Sequence, residues 1–168
     1  EKIEVEPSRV DITDYVVGGL PNTMGYLLEF DTHLFNNATE AERKAWVTMA
    51  SENGTPYGFY DTVNNEVFFY SDALGGHWLT IRTTNAKNLT SAHVTYIALV
   101  VDTVATALKN GDWATVKQWV DVQSFVDWYL IMEYLNNTDT AMESSVYMYI
   151  DVGGKLKLGP VWDLDNCA

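Results

Sequence analysis

Ser145-Val-Tyr-Met-Tyr-Ile-Asp151 alternates, Gly153-Gly154 follows, and Lys155-Leu-Lys-Leu-Gly-Pro-Val161 alternates again before the chain reaches Trp162-Asp163-Leu164-Asp165. A period of two marks strands, and a Gly-Gly pair between two such runs marks a tight hairpin turn. Lys155 and Lys157 fall on the outer face of this hairpin. Reading backwards, residues 91–135 change to helical spacing. Val94, Ile97, Val101, Val104 and Leu108 recur at three and four and form one face. Ser91 suits the start of that helix, and Lys109 with Gly111 its end. Asp121 is a good N-cap for a further helix with the stripe Val122, Phe125, Val126, Tyr129 and Met132. Trp113–Val120 between them reads as a short helix.

Residues 1–90 read as strands and loops. Val10–Ile12, Gly25–Phe30, Glu66–Tyr70 and Trp78–Arg82 are short, β-branched or aromatic, and set among turn residues. Residues 40–50 have helix propensity. The order strands, helices, hairpin predicts an α+β fold. The expectation is one domain over 1–168: a strand- and loop-rich part (1–90), a helical part (91–135) and a loop-and-hairpin part (136–168).

Charge narrows the partners. The 168 residues hold 10 Lys and Arg against 23 Asp and Glu, for a net charge of −13. Such a surface cannot easily replace the counterions of a nucleic-acid backbone, so nucleic acid is excluded as a partner. An anionic membrane surface is disfavoured for the same reason. No apolar run in the sequence reaches the ~18 residues of a membrane span. A basic protein, a metal ion or a nucleotide carried with its metal fits the charge. Cys167 is the only cysteine, which excludes an intrachain disulfide and a cysteine-based zinc cluster.

Two acidic motifs can carry chemistry. Asp163 and Asp165 stand two apart after a strand, so in extended backbone they point the same way. Paired hard oxygens suit Mg or Mn, although an Asp-x-Asp in an acidic chain is also an ordinary solvated turn. Asn136-Asn137-Thr138-Asp139 follows the last helix, where Asp139 can serve as general base or simply end the helix. Asp139 precedes Asp163 by 24 residues, with the hairpin between. Protein kinases share that layout: a loop carboxylate that orients the substrate hydroxyl, then a carboxylate that holds metal on the phosphates. No glycine-rich phosphate loop is visible, and His33, His77 and His93 are scattered. An Asp-x-Asp that grips a nucleotide-sugar diphosphate would instead need a parallel α/β domain, which the pattern lacks.

Asp121-Val-Gln-Ser-Phe-Val-Asp127, Asn137-Thr-Asp139, Ser145-Val-Tyr-Met-Tyr149 and Gly159-Pro-Val-Trp-Asp-Leu-Asp165 resemble the spore-coat protein H (CotH) kinase family. Arg9-Val-Asp-Ile12 and Gly25-Tyr-Leu-Leu-Glu-Phe-Asp31 resemble it too, whereas residues 35–110 match loosely. The resemblance implies an atypical protein-kinase-like C-terminal lobe that uses ATP with Mg or Mn to phosphorylate protein Ser or Thr. It implies Asp139 as the catalytic-loop acid, Asp163 as the metal-binding acid with Asp165 assisting, and Ser145 where some relatives carry an Asn near the metal. The expected protein substrate is basic. The expected site is extracellular, at a cell surface or in a spore coat. The family's small lobe, with its phosphate-holding cations, is expected upstream of Glu1, so the piece alone is expected to be inactive. The alternative is a non-catalytic extracellular module of the same fold that binds carbohydrate or cell wall.

Overall fold

A computed structural model describes residues 20–31, 39, 41, 58–61, 66–82, 89–137 and 144–161. Six strands form one sheet: β1 (Tyr26–Asp31), β2 (Gly58–Asp61), β3 (Glu66–Ser71), β4 (His77–Ile81), β5 (Ser144–Ile150) and β6 (Leu156–Leu158). Their spatial order is β2-β3-β4-β1-β5-β6, and every named pair is antiparallel. Three helices separate β4 from β5: α1 (Ser91–Asn110), α2 (Trp113–Trp119) and α3 (Val122–Tyr134). The fold is α+β, as the pattern predicts. The expected strand at Val10–Ile12 lies outside the described residues, as does the expected helix at 40–50 except for Ala41, which is helical; β2 has no counterpart in the sequence reading.

The C-terminal hairpin is not a separate unit. β5 lies along β1, with Leu28 opposite Met148 and Glu29 opposite Tyr147. β1 also pairs with β4, Glu29 facing Thr80. The last strands thus extend the sheet begun by the first, and β1 becomes an interior strand.

Alternation divides the sheet into two faces. On the inner face, Tyr26, Leu28, Phe30, Leu79, Ile81, Val146, Met148 and Ile150 are buried in one cluster with Val94, Ile97, Val101 and Val104 of α1. Leu108, expected to complete the α1 stripe, is 49% exposed at the helix end. α1 meets the length and composition of a membrane span, but its buried residues pack on the sheet. Its N-cap is Thr90 rather than Ser91: Thr90 forms a capping box with His93, whose Nδ1 accepts the Thr90 N–H at 3.1 Å. Gly111 ends the helix in the left-handed region, φ 69°, which a residue without Cβ adopts at least cost.

Asp112 caps α2 by accepting the Thr115 N–H and hydroxyl, at 3.2 and 2.7 Å. Those two bonds hold the Asp112 carboxyl below its ordinary pKa, the hydroxyl bond contributing most. Asp121 caps α3 as expected, its Oδ1 accepting the Ser124 N–H at 3.3 Å. The face of α3 is where the sequence reading fails. Only Trp128 and Met132 are buried, with Phe125 half-buried against the core, while Val122, Val126 and Tyr129 of the expected stripe are exposed. The packed face is rotated by about one residue, because Trp128 offers more apolar area than Val126 or Val122.

Candidate functional site

The hairpin register fixes where the two candidate loops begin. Met148 faces Leu158 and Ile150 faces Leu156, so the start of β5 and the exit from β6 lie at one end of the hairpin. β1 ends beside them, with Asp31 opposite Ser144. A loop of five residues, 151–155, closes the far end, and Gly154 N–H donates to Asp151 O at 2.8 Å. This is longer than the tight turn expected from Gly153-Gly154.

The approach from α3 is equally defined. Asn136 adopts a left-handed conformation, φ 48°, and Asn137 N–H returns to Met132 O at 3.1 Å. An asparagine tolerates that conformation better than most side chains, so the helix stops there. Asp139 follows two residues later in sequence, and Asp163 follows Val161 by two. Asp139, Asp163 and Asp165 lie outside the described residues. Ser145 is the second residue of β5. Among the described residues, no group of three His, Cys, Asp or Glu could hold a metal ion.

The structure adds a cluster that the sequence reading missed. On the outer face of the sheet, Glu29 is buried at 8% exposure. Arg82 Nε donates to its Oε2 at 2.5 Å, and the Tyr147 hydroxyl donates to its Oε1 at 2.8 Å. Burying a carboxylate is costly unless both oxygens find donors, and here each does. Arg82 N–H also donates to Leu27 O at 2.8 Å, which extends the β4–β1 ladder by one bond. The available signal was a single acid inside the apolar run Tyr26-Leu-Leu-Glu-Phe30 and a single base closing Trp78-Leu-Thr-Ile-Arg82.

Next along the outer face, Lys157 faces Tyr149 across the hairpin. Its Nζ lies 5.3 Å from the Tyr149 ring centroid and 3.1 Å from Asp151 Oδ2. The hydrogen bond to Asp151 raises the Lys157 pKa above its ordinary value, against some desolvation, so the amine stays charged.

A cleft of about 240 Å³ opens where β6 ends. Leu27 and Tyr149 form its sheet side, Asp127, Trp128 and Ile131 its α3 side, and Gly159-Pro160-Val161 its floor. The Gly159–Pro160 bond is cis. Ser124 ties the two sides together: its hydroxyl accepts the Leu158 N–H at 3.1 Å and donates to Asp121 O at 2.7 Å. The segment that lines the cleft thus runs directly into Trp162-Asp163-Leu164-Asp165. An apolar, aromatic-edged cleft with one carboxylate suits a flat ring better than a phosphate chain. A second cavity, of about 260 Å³ between α1 and the inner face, is almost wholly apolar.

A family model described as CotH kinase protein matches residues 64–168, which is more than half of the chain and includes α1–α3, the hairpin and both acidic motifs. Searches of curated proteins and of solved structures find no match. On the strength of the family model, the chain belongs to the CotH kinase protein family.

Proposed function

We propose that this chain forms the C-terminal, phosphoryl-transfer part of an atypical kinase domain that uses ATP with Mg or Mn to modify Ser or Thr of a basic protein. The observation that carries the reading is the hairpin register, which brings the strand ends before Ser144 and after Leu158 to one end of the sheet. The segments bearing Asp139 and Asp163 attach at those ends, and both lie inside the family match. ATP would supply the phosphoryl group, and the divalent ion would neutralise charge on its phosphates.

In this reading each residue has a separate task. Asp139 accepts the proton of the substrate hydroxyl. Asp163 holds the metal, assisted by Asp165 and Ser145. Arg82, oriented by Glu29, supplies within this chain a cation of the kind that kinases pair with an acid to position phosphates. Leu27, Trp128 and Tyr149 give the neighbouring cleft apolar walls suited to a base. The remaining phosphate contacts come from the small lobe that the family resemblance implies ahead of this segment, and the acidic surface suits a secreted or surface-exposed domain whose substrate is basic.

Calorimetric titration of the full-length parent with ATP and Mn tests the proposal. The expected result is binding that weakens roughly tenfold or more in Asp163→Asn and in Arg82→Ala, the cost of losing a charge-assisted contact. No binding by the wild-type full-length parent, or binding that neither substitution alters, overturns it.

A further inference from the structure

The exposed side of α3 is nearly as apolar as its buried side. Val122, Val126 and Leu130 recur at spacings of four and Tyr129 lies three after Val126, so they share one face. They are 37%, 44%, 56% and 57% exposed. A helix apolar all round belongs between two layers, and the sheet covers only the Trp128 and Met132 side. Scattered exposed leucines need no explanation, but a contiguous stripe along a whole helix marks an interface.

Charge selects the occupant. α3 contains no Lys or Arg. Leu130 stands between Asp127, three residues before it, and Glu133, three after it, and both acids are exposed. A second copy of a chain with net charge −13 would set these acids against like charges. A partner with apolar anchors and a cationic rim would meet them with opposite charge. We propose that the outer face of α3 docks an amphipathic helix of a partner protein, apolar on one side and flanked by Lys or Arg. Val126, Tyr129 and Leu130 take its apolar side, and Asp127 and Glu133 select its basic rim.

A labelled synthetic helix of Leu and Lys, titrated into the 168-residue chain at physiological salt, probes this face. A helix of Leu and Glu is the control. The triple variant Val126→Gln, Tyr129→Gln, Leu130→Gln removes the apolar face and leaves every charge in place. The Leu/Lys helix is expected to bind the wild type, to bind the triple variant roughly tenfold or more weakly, and the Leu/Glu helix not to bind. Circular dichroism checks the fold; if the triple variant loses helix, Leu130→Gln alone carries the comparison. No binding overturns the proposal. So does equal binding to wild type and variant, which is charge attraction alone, or equal binding of the Leu/Glu helix. Sedimentation showing a dimer that the variant abolishes would assign the face to a second copy. Variant-sensitive binding to phosphatidylcholine vesicles would assign it to a lipid surface. Either result also overturns it.

Discussion

The Tyr147 hydroxyl donates to Glu29 Oε1 at 2.8 Å across 118 residues of sequence, while Arg82 holds the other carboxylate oxygen. Three strands are thereby joined at one buried carboxylate. Tyr147→Phe removes one neutral-donor bond and is expected to cost about 1–2 kcal/mol. Glu29→Ala removes the shared acceptor of two donors at once and is expected to cost about 2–4 kcal/mol. The Arg82 side chain is 32% exposed, so water recovers part of that loss. Urea unfolding of both variants checks the order; equal costs would mean that Arg82 contributes nothing.

Asp121 both caps α3 and ties it to the hairpin. Its carboxylate caps the helix, and its N–H donates to Leu156 O at 2.9 Å. Asp121→Ala removes only the cap and is expected to cost about 1 kcal/mol. Asp121→Asn, which still accepts a hydrogen bond, is expected to lose less than half of that. Denaturant midpoints of the two variants measure the difference.

His93 predicts a pH dependence with a definite sign. Burial lowers its pKa from the ordinary 6.5, so the native state binds fewer protons than the unfolded chain below that value. Its contribution is constant above about pH 6.5 and falls as the pH drops towards the lowered native value. Protonation would also turn Nδ1, the acceptor of the Thr90 N–H, into a donor. His93→Gln is expected to flatten the decline below pH 6.5. Unfolding midpoints across that range, compared with wild type, decide it.

Two positions of the α1 stripe should respond differently to truncation. Ile97 is fully buried, and Ile97→Ala is expected to cost about 2–5 kcal/mol. Leu108 is half-exposed, and Leu108→Ala is expected to cost under about 1.5 kcal/mol. Thermal unfolding of both variants tests whether periodicity or measured burial ranks them correctly.

Much of the fold is legible because local patterns and tertiary packing agree. β1, β3, β4, β5 and the starts of α2 and α3 fall within a residue or so of their predicted places, since period and capping act over one or two turns. The face of α3 was not legible. A helix apolar all round gives no preferred stripe, so its orientation is decided by Trp128 finding the sheet. The pairing of β5 with β1 was equally hidden, because nothing local links Tyr147 to Glu29. For the same reason Glu29 within β1 and Arg82 just after β4 carried no signal until the sheet brought them together.

The position of β1 also dictates an order of assembly. During synthesis β1 and β4 emerge well before β5, so β1 remains an edge strand until residues 144–150 have left the ribosome. An uncovered edge made of Tyr-Leu-Leu-Glu-Phe is a template for pairing with other chains. Closing the sheet spans more than 110 residues, a non-local step that slows folding and lengthens that exposure. Shortened versions that end before β5 should therefore aggregate rather than form a smaller soluble sheet, and any expression strategy for this protein has to carry the hairpin.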